Sequence, residues 1–185
     1  NAVALKDPVT GEILGYEAKF VGKGELVRGE SLEDTPNAKG GFTSEYVPAT
    51  VDILSTREEV RANDRLLPTP ARGFLSYVPR APEQPVSARV VSIYGGSAFA
   101  NAAQNQVVAI NLGRQDGIES GHVLQLLTGG QRIKDTTDEA KSMIKLPSEK
   151  NGMAMVFRTF DRVSYALILS VRNQVRVGDT LVNPR

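Results

Sequence analysis

ILSTREEVRANDRL at residues 53–66 returns as ILSVRNQVRVGDTL at residues 168–181, with eight of the fourteen aligned positions identical and no gap. The shared residues are Ile53/Ile168, Leu54/Leu169, Ser55/Ser170, Arg57/Arg172, Val60/Val175, Arg61/Arg176, Asp64/Asp179 and Leu66/Leu181, all at an offset of 115. Upstream, Gly15 matches Gly152 and Phe20 matches Phe157 at an offset of 137, and the difference of 22 equals the length of the polar segment Val27–Pro48. A fixed internal match of this kind reads as a repeated structural unit. The expected architecture is mainly β: two related small modules, residues 1–70 with an inserted loop at 27–48 and residues 86–185, joined by a proline-rich linker at 71–85.

The local signals agree with short strands. Val51 and Ile53 alternate with Thr50 and Asp52, as in a half-buried strand. Further strands are expected at 13–21, 25–27, 86–94, 106–111, 122–127 and 180–182, with a hairpin at 152–159 and 163–171. Asp7-Pro8-Val9-Thr10-Gly11 has turn composition, and Asn63-Asp64 and Gly178-Asp179 place residues that tolerate left-handed backbone before a closing strand. Residues 137–144 read as a short helical turn. Seventeen glycines and no amphipathic helical pattern complete the β signature.

The bulk composition excludes several chemistries. Twenty-two basic and 21 acidic residues nearly cancel, whereas a nucleic-acid binder needs a clear basic excess. Cysteine is absent, which removes disulfides, thiolate metal sites and cysteine nucleophiles. No run of about 18 apolar residues occurs, so no membrane-spanning helix is expected. The start at Asn1-Ala2, with no leader, reads as a cloning scar or as the edge of an excised fragment.

No residue set assembles an active site. His122 is the single histidine; it stands at the head of a strand and reads as a half-exposed strand residue. With no cysteine beside it, a zinc shell would need carboxylates alone. Gly95-Gly96-Ser97-Ala98-Phe99 lacks the last glycine of a nucleophile elbow, and Gly22-Lys23-Gly24 lacks the third glycine of a dinucleotide loop. The acidic pairs Glu33/Asp34, Glu58/Glu59 and Asp138/Glu139 lie in polar runs where solvation accounts for them. Catalytic residues, metal and cofactor are therefore not expected. Asp64 and Asp179 read as turn residues that bond their own backbone.

Binding is a better expectation. Arg57, Arg61, Arg172 and Arg176 are repeated arginines suited to an anionic polymer, and Arg158 and Arg162 extend the second pair. Tyr94 and Phe99, flanking Gly95-Gly96, are candidate exposed aromatics for sugar contact.

Several stretches together, KDPVTGEILGYEA at 6–18, VRANDRLLP at 60–68, YVPRAP at 77–82, VVSIYGG at 90–96, VFRTFDRVSYALIL at 156–169 and VGDTLVNP at 177–184, resemble the C-terminal region of LysM-containing exported proteins of Gram-negative bacteria. Val177–Leu181 looks like the opening of a LysM module, but too few residues follow it. The resemblance implies a periplasmic or envelope location and attachment to peptidoglycan through a LysM module outside this chain. It implies a non-enzymatic accessory region acting as a binding or spacer scaffold, with an envelope protein as a further partner. The alternatives are a carboxylate-dependent wall hydrolase and a self-associating structural subunit.

Overall fold

A computed structural model describes residues 2–36, 38, 40–69, 77–95, 101–137 and 142–184. Among them the protein is mainly β, with sixteen strands and a single turn of 3-10 helix at Arg114–Asp116. Two compact units separate: Ala18–Pro70, and a larger one made of Ala2–Glu17 and Ala71–Arg185.

The larger unit is built on a closed, antiparallel six-stranded barrel. Strands β7 (Ser87–Ile93), β9 (Val107–Ile110), β10 (Val123–Thr128), β13 (Glu149–Thr159), β14 (Ser164–Val171) and β16 (Thr180–Val182) run round it in the order β10-β13-β14-β9-β7-β16. β16 closes the ring, with Leu181 opposite Ala88 on one side and Leu126 on the other. Strand parity sends Ala88, Val90, Val108, Ile110, Leu124, Leu126, Ala154, Val156, Ala166, Ile168 and Leu181 into the interior, where each is fully buried. A ring of six strands leaves room for side chains and no lumen, so the three alanines sit where the bore is filled by their larger neighbours. The short pair β8 (Asn101–Ala102) and β15 (Val175–Arg176) adds Ala102 and Val175 to this core.

A strap covers part of the barrel's outer face. β1 (Ala2–Lys6) and β2 (Ile13–Ala18) form a two-stranded hairpin, and Leu5 and Leu14 pack on Val91, Ala109, Val163 and Tyr165. Asp7 holds its turn by accepting from the Val9 and Thr10 amides and fastens it by accepting from the Asn111 side chain at 2.7 Å. These bonds, the Asn111 contact first, lower the Asp7 pKa. The expected first module, 1–70, is thus divided: residues 2–17 belong to the larger unit, where Leu5 and Leu14 are spent on the barrel wall.

Ala18–Pro70 has a different character. β3 (Gly22–Arg28) pairs with β6 (Thr50–Thr56), and β4 (Ser31–Pro36) pairs with β5 (Phe42–Val47). The expected loop at 27–48 is therefore largely a hairpin, in which ladder bonds replace the apolar signal missing from its sequence. None of the described residues of this unit is buried.

The β3–β6 ladder has the register of β13–β14. Gly22, Lys23, Gly24, Glu25, Leu26 and Arg28 face Thr56, Ser55, Ile53, Asp52, Val51 and Thr50. Gly152, Met153, Ala154, Met155, Val156 and Arg158 face Val171, Ser170, Ile168, Leu167, Ala166 and Tyr165. Both ladders slip twice, once past Leu54 or Leu169 and once past Val27 or Phe157. In both, a Cβ on the leading glycine, Gly22 or Gly152, would collide with the carbonyl oxygen of Ser55 or Ser170. The downstream offset is the expected 115, but the upstream offset is 130, not 137: pairing register rather than residue identity aligns Gly22 with Gly152.

The following turns match as well. The Arg61 amide donates to Asp64 Oδ2 and the Arg176 amide to Asp179 Oδ2, each at 2.9 Å. Asn63 at φ 76° and Gly178 at φ 93° take the left-handed position before each aspartate.

Of the expected linker at 71–85, residues 71–76 lie outside the described residues. Residues 77–85 are tied to the barrel: Tyr77 donates to the Phe157 carbonyl, and Arg80 forms a parallel bridge with His122. Of the expected helical turn at 137–144, residues 138–141 lie outside the described residues, and Met143 and Ile144 belong to β12 (Met143–Lys145), which pairs with β11 (Arg132–Lys134).

Candidate functional site

Two of the sequence-selected residues, Tyr94 and Arg158, meet on the outside of the barrel. Because Ser164 and Ala166 face inward, Tyr165 between them faces out, and Arg158 is its partner across β13–β14. The Tyr165 ring stands edge-on to Tyr94 at 5.7 Å and to Phe160 at 5.9 Å between centroids. The Arg158 guanidinium lies 5.2 Å from the Phe160 ring centre. The result is a continuous row, Tyr94–Tyr165–Phe160–Arg158, in which each member is held by the quadrupole of the next ring. Tyr94 is 47% exposed and Phe160 40%, so apolar ring surface and a cation are offered to solvent side by side.

The strap orders the centre of this row. Glu17 Oε2 accepts from the Tyr165 hydroxyl at 2.8 Å and from Ser92 Oγ at 3.3 Å. Burial first, and then the hydrogen bond and negative charge of Glu17, push the Tyr165 phenol well above the usual tyrosine range. It is a neutral donor, with no access to a phenolate at ordinary pH.

The other selected residues are engaged elsewhere. Arg162 pairs with Glu12 at 2.8 Å. Arg172 lines a shallow cavity of about 320 Å³ with Gln125, Lys150 and Asn151, and at Arg176 it is the backbone amide that donates to the turn carboxylate of Asp179. In the smaller unit, Arg57 lies 5.7 Å from the Phe20 ring centre and Arg61 pairs with Glu59. Phe99 lies outside the described residues.

His122 is 5% exposed rather than half-exposed. Its Nδ1 accepts from the Glu119 amide at 3.2 Å, and burial, then the Arg80 charge, lower its pKa. It serves as a neutral turn acceptor. Asp34 accepts from Ser44, and Glu58 pairs with Lys19 and Glu59 with Arg61, while 138 and 139 lie outside the described residues. Among the described residues no group of three or more metal-ligating side chains converges, and no helix is long and apolar enough to cross a membrane.

Sequence reasoning missed Tyr165, Phe160 and Glu17. Strand parity in VSYALIL was the available signal for Tyr165, but nothing local joins it to a carboxylate 148 positions away. Neither the models of known protein families nor the curated proteins contain a match to this chain.

Proposed function

We propose that this chain is a non-enzymatic binding scaffold of an envelope protein anchored to peptidoglycan through a LysM module outside these residues, and that the row Tyr94–Tyr165–Phe160–Arg158 is its contact surface. The observation that carries the reading is the half-exposed aromatic row on the barrel wall, ending in the Arg158 guanidinium, which has no carboxylate partner among the described residues. Ring faces suit the apolar faces of sugar rings, and Arg158 suits the carboxylates of wall peptides. Asp34, Glu58 and Glu59 are exposed and engaged by Ser44, Lys19 and Arg61, which makes the hydrolase reading the weaker one.

Co-sedimentation with purified peptidoglycan at low and high salt tests this directly. The chain is expected to pellet with the wall, less so at high salt, and Tyr94→Ala and Arg158→Ala are each expected to lower the pelleted fraction several-fold. Wild-type protein that stays in the supernatant at low salt would remove the glycan role.

A further inference from the structure

The smaller unit has strands but no core. In the barrel, Ala154, Val156, Ala166 and Ile168 are the inward-facing positions of β13 and β14, and each is fully buried. Their counterparts by register are Gly24, Leu26, Val51 and Ile53. Leu26 is 63% exposed and Ile53 59%. The β3–β6 ladder has the register, both bulges and the leading glycine of the barrel wall, and among the described residues no further strand joins it to make a barrel. Two-stranded ladders are marginal alone in water, so the face calls for cover.

The barrel specifies what that cover is. β14 carries β9 on its outer edge and β13 carries β10 on its own. The matching edges of β6 and β3 carry no strand among the described residues.

Chain order specifies where it comes from. β1–β2 matches β11–β12: each is a two-stranded hairpin with a Lys-Asp leading into the turn, Asp7 Oδ1 accepting from the Val9 amide and Asp135 Oδ1 from the Thr137 amide. The Asp7 amide donates to the Glu12 carbonyl as that of Asp135 does to Ser142. Thus β11–β12, β13, β14 and the turn at 176–179 all have counterparts, in the same order, within 2–64. β7, β9 and β10 precede β11 and have none there, so their counterparts belong before β1.

We propose that Ala18–Pro70 is an open counterpart of the barrel, and that it is closed by a β segment N-terminal to β1 in the same polypeptide. That segment adds one antiparallel strand to β6 and another to β3 and places aliphatic side chains on Gly24, Leu26, Val51 and Ile53. Strand addition of this kind takes its affinity from main-chain bonds and its register from alternate side chains. The barrel's own equivalent occupies residues 87–128, which sets the length at roughly forty residues on the strand spacing of such folds. The inference is independent of the glycan reading.

Hydrogen exchange read by mass spectrometry tests it on two proteins: the 185-residue chain, and the chain carrying the residues that precede it in its own gene. Peptides covering 22–28 and 50–56 are expected to exchange at least tenfold more slowly in the longer protein. Leu26→Asp and Ile53→Asp should abolish that slowing, while Asp52→Ser on the opposite face should leave it. Three results would overturn the proposal. One is equal exchange in both proteins, and another is equal sensitivity to Asp52→Ser and Ile53→Asp. The third is protection in the 185-residue chain that rises with concentration alongside a doubled mass, which would make a second copy the occupant.

Discussion

Tyr165 donates its phenolic hydrogen to Glu17 at 2.8 Å, so the strap formed by β1 and β2 is buttoned to the barrel wall at the centre of the aromatic row. Tyr165→Phe removes the bond while keeping the ring, and should cost about 1.5 kcal/mol of barrel stability, at the lower end for a bond to a charged acceptor. The folded phenol titrates above the unfolded value of 10.0. Its stabilising contribution is therefore complete below pH 10 and is lost as pH rises through the folded value. Urea unfolding at pH 8 and at pH 10.5 should show a decline in wild type that is smaller in Tyr165→Phe.

His122 titrates with the opposite sign. Its folded pKa lies below the unfolded 6.5, so the unfolded chain takes up the proton first. Stability is expected to be full above pH 7 and to fall as pH drops through 6.5 and below. In His122→Asn the amide oxygen can accept from the Glu119 amide without titrating. Thermal melts from pH 5 to pH 7.5 should be flatter in this variant.

The two matched turns set a paired test. Gly178 sits at φ 93° and Asn63 at φ 76°, so Gly178→Asn should be tolerated within about 0.5 kcal/mol, whereas Gly178→Val should cost more than 1 kcal/mol through backbone strain. Asp179→Ala leaves the Arg176 amide without its acceptor and should cost about 1 kcal/mol by analogy with a lost cap. Denaturant midpoints of the three variants decide the order.

Ile168 and Ile53 are the same residue in the same register with opposite burial. Ile168→Ala opens a void in the barrel and is expected to destabilise it by about 2–5 kcal/mol. Ile53→Ala in the 185-residue chain should change its melting by less than about 0.5 kcal/mol, as for an exposed site. Calorimetry on both variants reads the difference.

The strand positions were largely legible in the sequence. Segments 86–94, 106–111 and 122–127 became β7, β9 and β10, and 180–182 became β16 without change, because apolar runs bounded by glycine, asparagine and aspartate are local signals. Barrel closure was not legible. It rests on Leu181 pairing with both Ala88 and Leu126, and no local pattern encodes the meeting of residues so far apart. The hairpin at 31–47 was hidden for another reason. Leu32, Phe42 and Tyr46 are all exposed, so its strands show no alternation of buried and exposed positions. For the site, Tyr94 and Arg158 were found by composition, while Tyr165 and Glu17, which join them to the strap, depend on contacts made only after folding. The six arginines share a sequence pattern but not a kind of partner: Arg162 pairs with Glu12 and Arg61 with Glu59, whereas Arg158 and Arg57 lie over the rings of Phe160 and Phe20.

The closing strand β16 is three residues long and is the last of the sixteen. A ribosome making this protein releases β7 some ninety residues before the strand that must lie beside it, while β13 and β14 can zip together as soon as both emerge. Until residue 182 is free, the nascent sheet has two raw edges and an uncovered apolar face, in the state that chaperones recognise. Synthesis thus holds the larger unit for a time as an open sheet, with its closing strand still to come.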